Sequence, residues 1–504
     1  MITIEQQRNK DIVIFNEESQ EVITDFQPYF YVSNPNGIYS TLMGDKCEKI
    51  IVDKPTDVPI KRKEYSKHFE ADIPYRQRFL IDRIEVPIPK ITLNIVYLDI
   101  ETDMSINVRD ADKPITCITV YSTKMEKYIT YVWRNDLTHK KEQRENDHKH
   151  TVIYYQDEFK LLHDFMIMIQ HINPHIITGW NVEPFDLPYI INRCKKLGVD
   201  ETLLSPLQKV HCNEYGDVRI YGRVVFDLLK AYKKLHQNKL ESYSLKSISK
   251  RELQDSKIAV EMKDLWQHDI ELLIEYNRKD VELCLKIDKK VGIIDFFDEQ
   301  RREIGCLWED LWFSSRMHDV ALLREAKKKG IVLPTKTSTE REEFEGAIVL
   351  EPKPGLYEWV ICLDVKSLYP SIILTFNLSP EMVGGNDIVL PNGLRLNNQK
   401  KGFVVDILQR YFDKRKEYKK LMNKYHPDSE EYKVNFYKQW SYKIMLNSFY
   451  GYLGYKNARL FHYDIAKSIP YMGRLVLLHM KKISEQLGYE VIAGDTDSLY
   501  ISMK

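Results

Sequence analysis

Over the first 95 residues, short apolar runs alternate with polar punctuation. Ile12-Val13-Ile14-Phe15 and Tyr29-Phe30-Tyr31-Val32 have strand length, and Asn34-Pro35-Asn36-Gly37 is a turn signal, so a β-rich start is predicted. An apolar strand follows at Ile95–Thr102. Residues 157–172 carry the apolar stripe of an amphipathic helix that ends near Asn173-Pro174, and a buried strand with a Gly-bearing turn follows at Ile176–Gly179. Near the end, Val491-Ile492-Ala493 and Leu499-Tyr500-Ile501 read as two strands joined by a tight turn at Gly494–Ser498. Lys61-Arg62-Lys63 is a solvated face, and the charged stretch from Lys140 to His150 is a loop without periodicity.

Acids stand at the tips of these apolar runs. Asp99 and Glu101 lie at i and i+2, which puts both on one face of a strand; alone they read equally as solvated groups at a strand end. Asp186 follows the turn after the second buried strand. Asp280 lies four residues after Tyr276 on one face of a predicted helix, an arrangement able to pair a metal ligand with a hydroxyl that positions a water. In the last third, Asp495 and Asp497 flank Thr496 in the turn, and Asp364 ends the apolar segment before Val365–Ser371. Asp carboxylates suit Mg²⁺, and two such ions activate an attacking oxygen and stabilise a leaving one.

Composition narrows the classes. At 504 residues the chain has room for several domains; Lys+Arg and Asp+Glu both number 74, so net charge offers nucleic-acid binding no support of its own. No apolar run reaches the length of a membrane span, and a cytoplasmic protein is expected. The seven scattered cysteines contain no CxxC pair, which argues against disulfide, zinc and iron–sulfur frameworks.

The order DIE at 99–101, GWNVEPFD at 179–186 and YNRKD at 276–280 resembles the three exonuclease motifs of DnaQ-like proofreading nucleases fused into family B DNA polymerases. Phe344-Glu345-Gly346-Ala347 resembles the element between the two activities; Asp364–Ser371, Lys443–Gly451 and Asp495–Ser498 resemble polymerase motifs A, B and C. The wording AGDTDS and SYSLKSISKREL at 242–253 looks most like T-even-type bacteriophage replicases, although the fingers look shorter.

The resemblance implies a mixed α/β multidomain fold: an N-terminal domain over 1–95, an RNase H-like exonuclease over 96–295, a helical return over 296–340, palm over 341–401 and 456–504, and helical-hairpin fingers over 402–455. Asp99, Glu101, Asp186 and Asp280 would hold metal in the exonuclease, with Tyr276 on the nucleophile. Asp364 and Asp497, with Asp495 as a weaker contributor, would hold it in the polymerase. Two Mg²⁺ per site are implied, with Mn²⁺ as a substitute. Ser367 and Leu368 would offer backbone N–H groups to the triphosphate, and Tyr369 would exclude a 2′-hydroxyl. On the fingers, Arg415 and Lys419 would face Lys443, Asn447 and Tyr450 around the phosphates. Primer-template DNA and deoxynucleoside triphosphates are the implied partners. Because the sequence stops just after motif C, a second chain carrying the thumb, and through it a sliding clamp, is expected. A stand-alone exonuclease and a nucleic-acid-binding regulator are the rival readings.

Overall fold

A computed structural model describes the chain except residues 8–9, 104–106, 135–143, 147, 214–215, 237–238, 260–264, 338–342 and 504. It divides into two units: Met1–Gln7, Asp11–Thr24 and Pro89–Asp298 form the first, and Asp25–Ile88 and Glu299–Lys504 make up most of the second.

The first unit is organised on a seven-stranded mixed sheet. Its strands are β1 (Ile95–Thr102), β2 (Ile115–Ser122), β3 (Lys127–Trp133), β4 (Arg144–Asn146), β5 (His150–Tyr155), β6 (Ile176–Gly179) and β7 (Val224–Asp227), in the order β4-β5-β3-β2-β1-β6-β7. β1 runs antiparallel to β2 and parallel to β6. Being interior, it buries its four leading residues Ile95-Val96-Tyr97-Leu98 and keeps its acids for its far end. Gly179 closes β6 where a Cβ would fall on the carbonyl oxygen of Leu98, so only glycine lets the two strands run this close beside Asp99.

Helix α1 (Glu158–Ile172) starts on an Asp157 cap and ends at Asn173 in the left-handed region, as its stripe predicts. Helix α2 (Leu187–Leu197) follows, and α3 (Ile270–Val291) begins where the Asp269 carboxylate accepts from the Leu272 N–H at 3.0 Å and packs across β1 and β2. Leu98, Ile100, Val120, Phe165 and Ile190 share one core.

The first 95 residues do not form one body. Strands Thr3–Gln6, Ile12–Phe15 and Gln20–Ile23 make a small antiparallel sheet in the first unit, tied there by Arg219 on Glu5 at 2.6 Å and by His175 Nε2 on the Glu17 carbonyl at 2.8 Å. Residues 25–88 belong to the second unit. The charged stretch expected as a loop is partly strand, since Arg144–Asn146 is β4; residues 140–143 and 147 lie outside the described residues.

In the second unit, Tyr29–Ser33, Tyr39–Thr41, Lys46–Ile51 and His68–Phe69 form a five-stranded sheet completed by Ile331–Val332. A second sheet carries strands β8 (Val349–Leu350), β9 (Val360–Asp364), β10 (Glu490–Asp495) and β11 (Ser498–Ser502) in the order β8-β10-β11-β9. Helix α4 (Leu368–Thr375) follows β9; α5 (Phe403–Met422) and α6 (Glu430–Leu453) pack on each other as a hairpin; α7 (Tyr463–Gln486) precedes β10 and sets Leu477 against Val491, Leu499 and Ile501.

Arg459 holds this unit together. Its fully buried guanidinium donates to both Asp72 carboxylate oxygens at 2.8 Å, to Asp319 Oδ1 at 3.0 Å and to the Pro334 carbonyl at 2.7 Å. Burial opposes the charge on Asp319, yet Arg459 and Lys336 hold its carboxyl below the ordinary range. Arg459→Met takes the guanidinium from Asp72 and leaves Asp319 with Lys336 alone, and is expected to cost about 3–5 kcal/mol in chemical unfolding at neutral pH; a cost under about 1 kcal/mol would show that the network contributes little.

Candidate active sites

In the first unit the end of β1 meets the middle of α3. Asp99, Glu101 and Asp280 each offer a carboxylate oxygen, and these atoms lie within 4.8 Å of one another, the only such group of three His, Cys, Asp or Glu side chains among the described residues. The period-2 strand brings in the first two and the helix supplies the third. Asp186 closes a one-turn π-helix (Val182–Asp186) rather than a loop, and its Oδ1 accepts from the Ile100 N–H at 3.1 Å. It therefore stands beside β1 but outside that trio.

Three like charges at this spacing repel strongly, and the fold answers with one cation. Lys257 Nζ pairs with Asp280 Oδ2 and stands 3.4 Å from the Tyr276 hydroxyl. Tyr276 and Asp280 thus share one face of α3, as their spacing predicts. Burial, then Asp186 and Asp280, push Asp99 well above the carboxylate range. Burial and Asp280 push Glu101 up to about 8, and burial raises Asp186 to about 7. Burial raises Asp280 against the opposing pull of Lys257. Burial works against the Lys257 charge, but Asp280 and Asp99 outweigh it and hold the ammonium above its usual range.

These residues fit a divalent cation. The donors are hard carboxylate oxygens, and Asp280 Oδ1 is buried with no hydrogen-bond partner, an acceptor left over for a metal.

In the second unit Asp364 ends β9 directly opposite Ser498, and the Val365 N–H donates to the Asp497 carbonyl at 2.8 Å. The β10–β11 turn is tight, with Thr496 at φ 52° and the Asp497 N–H on the Asp495 carbonyl at 2.6 Å. Burial and the neighbouring Asp364 raise Asp497. Asp364 and Asp495 are exposed, so this acidic tip is open where the first is enclosed. Oxygen donors on adjacent strands again suit a hard cation.

Ser367 is left-handed at φ 55° and opens α4. The Tyr369 ring lies 4.6 Å from that of Tyr450 on α6. On its other side, a Cβ on Gly473 of α7 would come 2.9 Å from Tyr369 Cε1, so the missing side chain seats the ring. Burial and the nearby Arg415, Lys366 and Lys443 charges hold Lys419 below its usual range, which places four cations of β9–α4, α5 and α6 in one field. Arg415 Nε is buried without a hydrogen-bond partner, Lys443 Nζ sits 4.1 Å over the Trp440 ring, and Asn447 is exposed one turn on. Sequence reasoning missed Lys257, Asn277 and Lys366. Lys366 lies inside the Asp364–Ser371 segment and was legible; Lys257 stands in an aperiodic stretch that gives no local signal.

Residues 42–248 match the family model described as DNA polymerase family B, exonuclease domain, and residues 314–504 match that of DNA polymerase family B. A DNA polymerase of Pyrococcus glycovorans is 29% identical, over 90% of this chain and 60% of its own length. One from Archaeoglobus fulgidus is 29% identical over 95% of this chain and 66% of its own. The structure of the family B DNA polymerase from the hyperthermophilic archaeon Pyrobaculum calidifontis shares the fold, with a TM-score of 0.80 at 24% identity over 100% of this chain and 74% of that one. The chain spans about 60% of the length of the first of these curated relatives.

Glu101 and Asp186 hold protons up to about 8 and about 7 in the fold, whereas unfolded carboxyls ionise near 4. The native state then binds more protons between those limits, so metal-free stability falls as pH rises from about 4 to about 8. In EDTA, the melting temperature is expected to drop from pH 6 to pH 8, less so in Glu101→Gln/Asp186→Asn, with Mg²⁺ restoring the wild type. An identical pH profile for both proteins would refute the assignment.

Proposed function

The chain belongs to DNA polymerase family B, and from that premise we propose that it carries a 3′→5′ proofreading exonuclease in its first unit and the template-directed nucleotide-adding site of a DNA polymerase in its second. The carrying observation is the close trio Asp99, Glu101 and Asp280 with Lys257 set into it. When bound, divalent cations, Mg²⁺ or Mn²⁺, supply Lewis-acid activation of the attacking oxygen and stabilise the leaving one.

In the exonuclease the trio holds the metal, with Asp186 supporting from beside β1. The Tyr276 hydroxyl orients the attacking water, and Lys257 offsets the carboxylate charge while DNA is absent. In the polymerase, Asp364 and Asp497 hold metal with Asp495 beside them. Ser367 and Leu368 present backbone N–H groups to the incoming triphosphate. Arg415, Lys419 and Lys443, joined by Lys366, offset phosphate charge, with Asn447 and Tyr450 on the same face of α6 as Lys443. Tyr369, wedged between Tyr450 and Gly473, lies under the sugar and excludes a 2′-hydroxyl.

The edge of the second sheet supports a completing chain. All five residues of β9 are exposed, including Val360, Ile361 and Leu363, and Trp359 just before them is 73% exposed. A bare apolar edge is a template for further strands, and we read β9 as the seat of a completing strand, supplied by this polypeptide or by a partner. The phage replication setting rests on the T-even-like wording. One observation favours the stand-alone exonuclease instead: among the described residues the polymerase acids form no comparably close trio.

An end-labelled primer-template incubated with this chain in Mg²⁺, with and without the four deoxynucleotides, tests the proposal. Shortening alone is expected, and lengthening would show that the polymerase site works without a further strand on β9. No change in either condition would sink the exonuclease reading. Asp280→Ala is expected to cut digestion at least about a thousandfold, since it removes one member of a unit, while leaving DNA binding intact. Once polymerisation is reconstituted, Tyr369→Ala is expected to admit ribonucleotides; unchanged discrimination in single-nucleotide incorporation would refute the steric role.

A further inference from the structure

Behind the carboxylate trio lies a second pair of polar side chains. Asn277 is fully buried on α3, one residue after Tyr276 and three before Asp280, and so on the face that meets β1. Its Nδ2 donates to Asp99 Oδ2 at 2.7 Å, and Asn277 lowers the Glu101 carboxyl against the burial that raises it. Its Oδ1 accepts from the thiol of Cys117 at 3.4 Å. Cys117 is equally buried and sits on β2 as the cross-strand partner of Glu101.

An amide has a donor end and an acceptor end, and only one orientation suits this place. With the thiol donating to Oδ1, the N–H groups must face the acids. Turned the other way, a carbonyl oxygen would confront Asp99 and the thiol would face two N–H donors. A donor fixed against Asp99 favours its ionised form, the form that binds a metal, because the hydrogen bond is then charge-assisted. Asp99 so held still has an oxygen within 4.8 Å of oxygens of Glu101 and Asp280.

We propose that Asn277 is a positioning residue that aligns Asp99 and Glu101 to receive a divalent cation, and that Cys117 sets the direction of its amide. This rests on the exonuclease reading of the site and adds to it two residues that are not carboxylates. Removing partners that orient metal ligands typically costs tenfold or more in metal affinity.

The test is Mn²⁺ binding by the 504-residue chain without DNA, read by electron paramagnetic resonance and counted as the site lost in Asp280→Ala. The Mg²⁺ concentration for half-maximal cleavage and the melting temperature are measured alongside. Asn277→Leu keeps the volume and removes the donor; it is expected to raise both metal constants about tenfold or more. Cys117→Ala is expected to give a smaller rise, and Cys117→Ser, which keeps a donor, to stay close to wild type. The Cys117 pair decides the matter if Asn277→Leu fails to fold. Wild-type Mn²⁺ affinity in folded Asn277→Leu and Cys117→Ala would overturn the proposal. A wild-type chain with no Asp280-dependent Mn²⁺ site would instead remove the exonuclease reading, and this inference with it.

Discussion

Like charges held close together set the terms for the first unit. Two carboxylates about 4 Å apart repel by about 4 kcal/mol at the effective dielectric of a protein surface, and here three oxygens share a 4.8 Å space. No flexible loop would keep them there. β1 can, because it is clamped between β2 and β6 in the interior of a seven-stranded sheet, and α3 can, because its apolar face lies across those strands. Burial raises the carboxyls of Asp99, Glu101 and Asp280, like charge adds to the rise at the first two, and Lys257 relieves the crowding in part. The site is poised to exchange one organic cation and some protons for metal ions, so metal binding and proton release are coupled.

The second acidic tip solves the problem differently. Asp364 and Asp495 are exposed, and Asp497 is lifted by burial and a neighbouring acid. Water screens these charges, so little rigidity is needed to hold them. The balancing cations, Lys366, Arg415, Lys419 and Lys443, come from the strand-helix junction and the helical hairpin, and burial together with the repulsion of the other three depresses Lys419. Acids on one side and bases on the other each lack a partner of opposite sign in quantity. A polyanion carrying its own divalent cation meets both needs, which is the shape of a metal-bound triphosphate.

Much of this was legible locally. Period 2 put Asp99 and Glu101 on one face, spacing i and i+4 put Tyr276 beside Asp280, and apolar runs around Gly494–Ser498 gave a turn between strands, because each is a rule about residues close in sequence. Lys257 was not legible: it reaches Asp280, 23 positions on in the sequence, through tertiary packing alone. Asn277 was hidden differently, since an amide beside a tyrosine carries no chemistry until Asp99 and Cys117 are seen on either side of it. The division of the first 95 residues was equally beyond pattern. Strand length is written in Ile12–Phe15 and Tyr29–Ser33 alike, but Arg219 on Glu5, which ties the early strands to the first unit, joins residues far apart in sequence.

The two sites also differ in what guarantees their alignment. Asp99 sits on an interior strand, so its position is enforced from both sides by backbone pairing. Asp364 ends a strand paired on one side only, with β11, and all five of its residues are exposed. An edge strand frays and twists more readily than an interior one, and the register that sets Asp364 against Ser498 is enforced by that single ladder. Any strand added along β9 would stiffen Asp364 without touching it, whereas the exonuclease acids need no such help. The chain therefore has one site aligned from within and one whose alignment responds to what pairs with its edge.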